Sequence, residues 1–199
     1  MVSDGPSAGR AAVVEILDAT IALHARVRDA DHAALLRAVA AIRQSHAAGG
    51  TLLIFGNGGS AADAQHMAAE FVNRFARERR ALAALALTTD TSILTSIGND
   101  YGFDRTFVRQ IEALGRPGDI ALGISTSGGS ANVVKALAAA GARGLRTIAL
   151  TGRDGGAVGA AAEIHINVPD GSTARVQEVH RTLIHVMCEL IERGVSAQH

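Results

Sequence analysis

Short apolar runs alternate along the chain with longer stretches in which apolar residues recur at helical spacing. The short runs lie at 51–55, 81–87, 120–124, 145–150 and 164–168, and each is followed by glycine, serine, threonine or proline. Continuous apolar runs of this length are typical of strands that are buried on both faces. Strands that alternate with helices at this spacing predict an α/β domain, in which helices cover both faces of a parallel sheet of about five strands.

Two further amphipathic helices, at 11–28 and 31–48, precede the first strand. Because no strand comes before them, they cannot be crossovers of the sheet. Helices in this position either cover an edge of the domain or pack against a partner subunit, and the sequence leaves both interpretations open. The prediction is a single domain over 1–199, with a flexible lead at 1–10 and an α/β core at 51–193.

Capping and turn residues set the remaining boundaries. Ser60 is predicted to cap the helix after the first strand, and Asp104 is predicted to cap a helix at 105–114. The run Gly-Asn-Asp-Tyr-Gly at 98–102 is predicted to be a loop. The apolar stripe of the last segment predicts a long terminal helix at 173–193.

Composition narrows the class of protein. Lys and Arg together number 19, as do Asp and Glu, so the formal charge is zero, which disfavours a nucleic-acid binder that neutralises phosphates. Cys188 is the only cysteine, so no intrachain disulfide can form and a reducing compartment is indicated. No apolar run reaches the roughly 20 residues of a membrane span, and the first residues do not form a signal peptide. We therefore expect a soluble, cytoplasmic protein that binds neither nucleic acid nor membranes.

The stretch at 51–74 places a buried strand, a glycine turn and a helix in direct succession. Such a turn presents backbone N–H groups at a helix N-terminus, beside the carboxyl end of a parallel strand, where α/β proteins bind anions. His66 and Glu70 lie four residues apart on the same helix, so both side chains project from one face.

A second loop of the same kind follows the third strand. Ser125, Thr126, Ser127 and Ser130 could surround an anion with hydroxyl groups while the next helix supplies N–H groups. The alternative is an ordinary capped turn. Two such loops in one sheet favour phosphate binding.

A dinucleotide-binding domain is a rival interpretation of the first loop. The run 56–61 matches the relaxed G-x-G-x-x-A fingerprint, and Asp90 follows the second strand, where an acid that binds ribose would lie. However, Asp90 comes about 30 residues after the glycines instead of the usual ~20. This interpretation also leaves the serines and the His66/Glu70 face unexplained, so it is the weaker one.

The terminal helix carries polar residues among its apolar positions. They are Gln177, Glu178, His180 and His185. Taken singly, each histidine is more readily explained as a hydrogen-bonded structural residue than as a ligand. At about 100° per residue, Glu178 and His185 are roughly 20° apart, and Gln177 and His185 are roughly 80° apart. Single-helix geometry therefore favours Glu178 as the partner of His185.

Five stretches together resemble one enzyme family. They are GNGGSAADAQHMAAEFVNRF, IGNDYGFD, GISTSGGSANVVKAL, ALTGRDGG and RVQEVHRTLIHV. The chain thereby resembles the phosphoheptose isomerases, the sedoheptulose 7-phosphate isomerases of the sugar isomerase (SIS) domain superfamily, from about residue 10 to residue 193. The resemblance implies a single SIS-type domain, a homotetramer and one Zn²⁺ per subunit. The implied enzyme is an intramolecular oxidoreductase that converts sedoheptulose 7-phosphate to D-glycero-D-manno-heptose 7-phosphate for heptose biosynthesis, with a lipopolysaccharide precursor or another heptose product downstream.

The resemblance also implies site residues. The metal ligands would be His66, Glu70, Gln177 and His185, so the family selects Gln177 where helix geometry selects Glu178. The residues that contact the substrate would be Asn57, Gly58, Gly59, Ser60, Glu70, Asn99, Asp100, Ser125, Thr126, Ser127, Ser130 and Gln177. We hypothesise that Glu70 is the catalytic base at carbon and that the catalytic His185 moves the oxygen proton.

Related SIS domains offer other functions. One branch consists of non-catalytic tetramers that bind a replication initiator protein, and its members lack the acid and the histidine at the positions of Glu70 and His185. Both residues are present here, which favours an enzyme. Domains that bind amino-sugar phosphates, as regulators or etherases, are a weaker alternative because they do not need this pair.

Overall fold

A computed structural model describes residues 6–195 of the chain. Its elements follow one another as α1 (Pro6–Arg28), α2 (Ala33–Ala47), β1 (Leu52–Gly56), α3 (Gly59–Val72), β2 (Ala84–Ala86), α4 (Thr91–Tyr101), a 3-10 turn (Phe103–Arg105), α5 (Thr106–Leu114), β3 (Ile120–Ser125), α6 (Ala131–Ala142), β4 (Arg146–Gly152), α7 (Gly156–Ala160), β5 (Ile164–Val168) and α8 (Thr173–Arg193).

The five strands form one parallel sheet in the order β2-β1-β3-β4-β5. The predicted parallel sheet and α/β class are thereby confirmed. The strand order reverses direction between β1 and β3, and a crevice for ligands forms at such a switch point, beyond the carboxyl ends of the strands. The glycine loop (residues 56–60) and the serine loop (residues 125–130) follow these two strands, so the fold places them side by side.

The core consists of two layers, one on each face of the sheet. On β1, Leu52 and Ile54 pack into the layer that includes α2, α3 and α8, whereas Leu53 and Phe55 pack into the layer that includes α5 and α6. This alternation follows from the two-residue period of a strand. Because both layers are apolar, β1 is buried throughout and holds the glycine loop rigidly.

Helix α1 begins earlier than predicted, at Pro6 instead of residue 11. Proline is favourable in the first turn of a helix, where its missing N–H is not needed. The rest of the predicted flexible lead, residues 1–5, lies outside the described residues. Helix α1 buries Leu23 against the core but exposes five apolar side chains, Val13, Val14, Ile16, Leu17 and Ile21.

Two further predictions, made from turn and capping residues, were wrong. Residues 98–101 are not a loop but the last turns of α4, which is capped by Asp90, whose Oδ1 accepts the Ile93 N–H at 2.9 Å. This contact also gives Asp90 a structural function in place of the ribose contact of the dinucleotide interpretation. Asp104 does not cap α5 but pairs with Lys135 on α6. Within the described residues, every helix is too short or too polar to cross a membrane.

Candidate functional site

Two asparagines tie the glycine loop to the start of α6. Asn57 Nδ2 donates to Asn132 Oδ1, and Asn132 Nδ2 donates to Asn57 Oδ1, both at 2.9 Å. The pair fixes the separation of the two loops at the switch point of the sheet. Asn132 was missed by the sequence analysis. Its pairing with Asn57 depends on β1 and β3 being neighbours in the sheet, which the sequence pattern does not show.

Ser125 lies at the centre of a hydroxyl cluster in the serine loop. Its Oγ is 2.9 Å from Ser130 Oγ and 3.4 Å from Ser127 Oγ. Ser130 occupies the N-cap position of α6, but its side chain makes no capping hydrogen bond. The first N–H groups of α6 therefore remain available next to the hydroxyl groups, which is the arrangement that binds phosphate at helix N-termini. Thr126 is half-buried beside this cluster.

At Gly128 the serine loop packs closely against the start of α7. Its φ of +70° lies in the left-handed region, and a Cβ there would be 2.5 Å from the carbonyl oxygen of Gly155. The Gly128 carbonyl also accepts the Val158 N–H at 2.9 Å. Only glycine satisfies both the dihedral angle and the close approach.

Replacement of Gly128 by alanine is expected to lower the free energy of unfolding by about 1–3 kcal/mol and to raise the KM for a sugar phosphate more than kcat is lowered. The reason is that the loop must move away from α7, which displaces the hydroxyl cluster. Gly129→Ala is the matched control, since a Cβ at Gly129 meets only Ser127 Oγ, at 3.9 Å. Steady-state kinetics and thermal unfolding of both variants test this prediction, and equal behaviour of the two would contradict it.

The facing sides of α3 and α8 bring three predicted site residues together. His66 Nε2 and His185 Nε2 are 2.7 Å apart, so one ring donates an N–H and the other accepts it. Glu70 Oε1 is 3.6 Å from His66 Nε2. The side chains of His66 and Glu70 remain 35% and 22% exposed, so a ligand can reach them. A carboxylate and two imidazoles at this distance can exchange protons with a bound substrate.

Gln177 lies further toward the start of the same helix pair. Its Nε2 donates to Asp63 Oδ2 at 3.3 Å, and its side chain packs over Gly59 so closely that a Cβ there would be 2.2 Å from Nε2. Arg181 donates to the other oxygen of Asp63 at 2.6 and 3.0 Å. Asp63 is fully buried. Because the Asp63 carboxylate accepts a hydrogen bond from the amide nitrogen of Gln177, the amide oxygen of Gln177 points away from Asp63.

Asp63 and Arg181 were missed by the sequence analysis, although their spacing carried a signal. Asp63 lies three residues before His66 on α3, and Arg181 lies four residues before His185 on α8. Both therefore share a helix face with a predicted site residue. A search for charged residues along those two faces would have identified this pair, in which Asp63 is buried and Arg181 is half exposed.

Glu178 makes its contacts with Arg175 and with α1, and no hydrogen bond joins it to His185 in the described residues. Its carboxylate pairs with Arg175 at 2.7 Å and accepts a hydrogen bond from Thr20 of α1 at 3.1 Å. His180 is fully buried and donates from Nε2 to the Thr151 carbonyl oxygen at 2.9 Å. Burial lowers its pKa, although the Thr151 carbonyl opposes this effect, so His180 is a neutral structural residue.

The other predicted contact residues are more dispersed. Ser60 does not cap α3, because the helix begins at Gly59 and Gly58 is its N-cap; Ser60 is instead buried in the first turn. Asn99 and Asp100 are exposed near the end of α4, where Asn99 donates to Asp100 at 2.8 Å. In the described part of the chain these two side chains make no hydrogen bond to the loops or to the facing residues of α3 and α8.

The predicted metal ligands suit zinc in donor type. Two imidazole nitrogens and a carboxylate, from His66, His185 and Glu70, form a donor set found in catalytic zinc sites, and the Gln177 oxygen would be the fourth ligand. The bond between the two rings uses the nitrogens that a metal would take, so it must break on metal binding. Accordingly, among residues 6–195 no group of three or more His, Cys, Asp or Glu side chains is arranged to hold a metal ion. Burial raises the pKa of the Cys188 thiol to about 12, so this nearby residue is protonated.

Comparisons with known proteins match this architecture. The SIS domain family model matches residues 15–152. A phosphoheptose isomerase from Roseiflexus sp. (strain RS-1) is 51% identical over 181 residues, which cover 91% of this chain and 92% of the relative. The solved phosphoheptose isomerase from Neisseria gonorrhoeae has a TM-score of 0.88 and 46% identity, over 92% of this chain and 98% of that one. The one from Francisella tularensis has a TM-score of 0.89 and 34% identity, over 93% and 98%.

Proposed function

The chain belongs to the SIS-domain family and, within it, to the phosphoheptose isomerases, and we propose that its substrate is sedoheptulose 7-phosphate and its product D-glycero-D-manno-heptose 7-phosphate. It is a sugar-phosphate isomerase, an intramolecular oxidoreductase. The single observation that carries the assignment of residues is the approach of His66, Glu70 and His185 on the facing sides of α3 and α8.

The serine loop holds the phosphate in this proposal. The hydroxyl groups of Ser125, Ser127 and Ser130 and the first N–H groups of α6 supply donors without a positive side chain. A phosphate fixed there orients the sugar in the crevice at the switch point. The Asn57–Asn132 pair keeps this anchor at a constant distance from α3, which begins at the end of the glycine loop.

Proton transfer is assigned to Glu70 and His185. Glu70 takes the proton from C1 of the ketose, and the electron pair left behind forms the C1–C2 enediolate. Glu70 then delivers a proton to C2, while His185 moves a proton from O1 to O2. The sum is an isomerisation with no net gain or loss of protons or electrons.

Zinc is proposed as the cofactor, with one ion per subunit held by His66, Glu70, Gln177 and His185. Bound there, the metal would polarise the carbonyl and hydroxyl oxygens of the sugar as a Lewis acid. Coordination would lower the basicity of a carboxylate, so Glu70 could serve as the base only while it does not bind the metal. Asp63 supports this ligand set, because it accepts a hydrogen bond from the amide nitrogen of Gln177 and so leaves the amide oxygen free to bind the metal.

A homotetramer is proposed as the assembly. The five apolar side chains that α1 exposes form a surface of the kind that packs against another subunit. This observation favours the partner interpretation of the N-terminal helices over edge covering. A site shared between subunits would also account for the lack of hydrogen bonds, within the described residues of one chain, between Asn99 or Asp100 and the site residues of α3 and α8.

The proposed function is tested by incubation of the purified protein with sedoheptulose 7-phosphate, with aldose formation followed by NMR. We expect conversion that stops with a chelator and resumes when zinc is added. Fructose 6-phosphate and ribulose 5-phosphate serve as comparison substrates. Conversion of one of these but not of the heptulose would overturn the substrate assignment, and activity that resists complete metal removal would overturn the cofactor assignment.

A further inference from the structure

Residues 73–80, which we call the clasp segment, connect α3 toward β2 and contain a buried arginine. Arg79 Nη2 donates to the Glu70 carbonyl at 2.7 Å, and Nη1 donates to the Phe71 carbonyl at 3.0 Å and to the Asn73 carbonyl at 3.4 Å. The last carbonyl groups of a helix lack partners within the helix. Arg79 therefore caps α3 directly after the turn that carries Glu70.

Glu192 of α8 anchors the same segment. Its carboxylate accepts the N–H groups of Phe75, Ala76 and Arg77 at 3.0, 2.9 and 2.8 Å. Arg79 Nε lies 3.3 Å from Glu192 Oε1, and the two side chains are only 3% and 2% exposed. Burial raises the pKa of the Glu192 carboxyl, but the backbone N–H groups and Arg79 outweigh it and hold the pKa below its usual value.

The two side chains of the ion pair are closely packed as well as buried. The small space lined by Glu70, Cys188, Arg79 and Glu192 leaves no room for a water molecule. Loss of one partner therefore leaves the other charge buried without its partner.

Phe75 links the clasp segment to the site. Its ring centroid lies 5.5 Å from that of His185, whose other neighbour is His66 at 5.0 Å. The His185 ring thus lies between an aromatic ring of the clasp segment and the histidine of α3. Glu192 follows His185 by seven residues, about two helical turns, on the same face of α8.

We propose that Glu192 is a positioning residue for the isomerase. Through three backbone hydrogen bonds it places Phe75 against His185, and through Arg79 it fixes the end of α3 that carries Glu70. Neither Glu192 nor Phe75 exchanges a proton with the substrate. The inference rests on the proposed function, because it takes Glu70 and His185 as the reacting pair.

Two variants test the proposal in the full-length protein. Phe75→Leu removes the ring and keeps the segment apolar, while Glu192→Gln keeps the shape and removes the charge. Each is expected to lower kcat about 10–100-fold, as is found for residues that orient reacting groups, with KM changed less than about threefold. Phe75→Tyr, which restores the ring, is expected to recover most of kcat. The side-chain ¹⁵N signals of His185 are expected to shift in Phe75→Leu.

Phe107→Leu is the matched control, since Phe107 is buried against Phe55 in the opposite layer of the core. It is expected to lower the melting temperature and leave kcat unchanged. If Phe75→Leu lowers kcat no more than this control does, or if the His185 signals do not move, the proposal is overturned. If the wild-type protein does not convert the heptulose, the proposed function fails instead, and the His185 signals still decide the positioning role.

Discussion

Replacement of Glu70 by glutamine is expected to lower kcat for sedoheptulose 7-phosphate by about 10²–10⁴-fold, the range for loss of a general base. An amide cannot accept the proton from C1. The change keeps the shape of a side chain that is only partly exposed and has no ion-pair partner other than His66 in the described residues. The fold and the serine loop are therefore expected to stay intact.

Phosphate binding distinguishes a loss of catalysis in Glu70→Gln from a loss of folded structure. Inorganic phosphate, used as a competitive probe of the serine loop, is expected to bind Glu70→Gln as tightly as the wild type, by calorimetry. Glu112→Gln is the control, because Glu112 is an exposed residue of α5 whose contact is Arg105. Glu70→Gln with a kcat within tenfold of the wild type would remove Glu70 from the mechanism.

Replacement of His185 by glutamine is expected to have an effect of similar size, about 10²–10⁴-fold on kcat. The variant loses the imidazole that bonds His66 at 2.7 Å and, in the proposed mechanism, the group that moves the oxygen proton. Zinc affinity is expected to fall as well, because one of the four proposed ligands changes. Kinetics and a zinc competition titration with a chromogenic chelator measure the two effects.

His180→Gln provides the comparison on the same helix. His180 is buried and bonded to the Thr151 carbonyl, away from the proposed ligands, so its replacement is expected to reduce the free energy of unfolding by about 1–3 kcal/mol. Its kcat, measured well below its melting temperature, is expected to match the wild type. Equal losses of kcat in the two variants would show that His185 acts on stability and not on chemistry.

Local patterns were sufficient for the central part of the fold and of the candidate site. The apolar run at 51–55 and the glycines after it predicted β1 and its loop. A short run in which every residue is apolar is typical of a strand buried on both faces, and β1 is buried at every position. The four-residue spacing of His66 and Glu70 predicted a shared helix face, and the two side chains do approach one another. Such features depend on one element and need no knowledge of its neighbours.

Features set by neighbouring elements could not be predicted in this way. The angular separation of residues on α8 favoured Glu178 as the partner of His185. The contacts of each side chain depend, however, on the helices packed against α8: Thr20 of α1 bonds Glu178, and Asp63 of α3 bonds Gln177. Similarly, the glycines at 98 and 102 suggested a loop. The Asp90 cap and the packing of Ile97 nevertheless stabilise a helix through residue 101.

The non-catalytic SIS-domain function makes a different prediction for the same residues. A protein that only binds a partner has no need for a carboxylate and two imidazoles that approach within 3.6 Å on facing helices. It also has no need for Asp63 to orient the amide of Gln177. These contacts favour proton transfer over binding alone.

The most direct test of the central claim is hydrogen exchange at the carbon of the substrate. Sedoheptulose 7-phosphate is incubated with the protein in deuterated water and followed by NMR, with a chelator and with added zinc. Deuterium is expected to enter the sugar as the aldose forms, and both processes are expected to stop on chelation and to resume when zinc is added. If aldose forms but no deuterium enters the sugar at any stage, a base that takes the proton from C1 and exchanges it with water is contradicted. If neither process occurs under any metal condition, the isomerase assignment itself is contradicted.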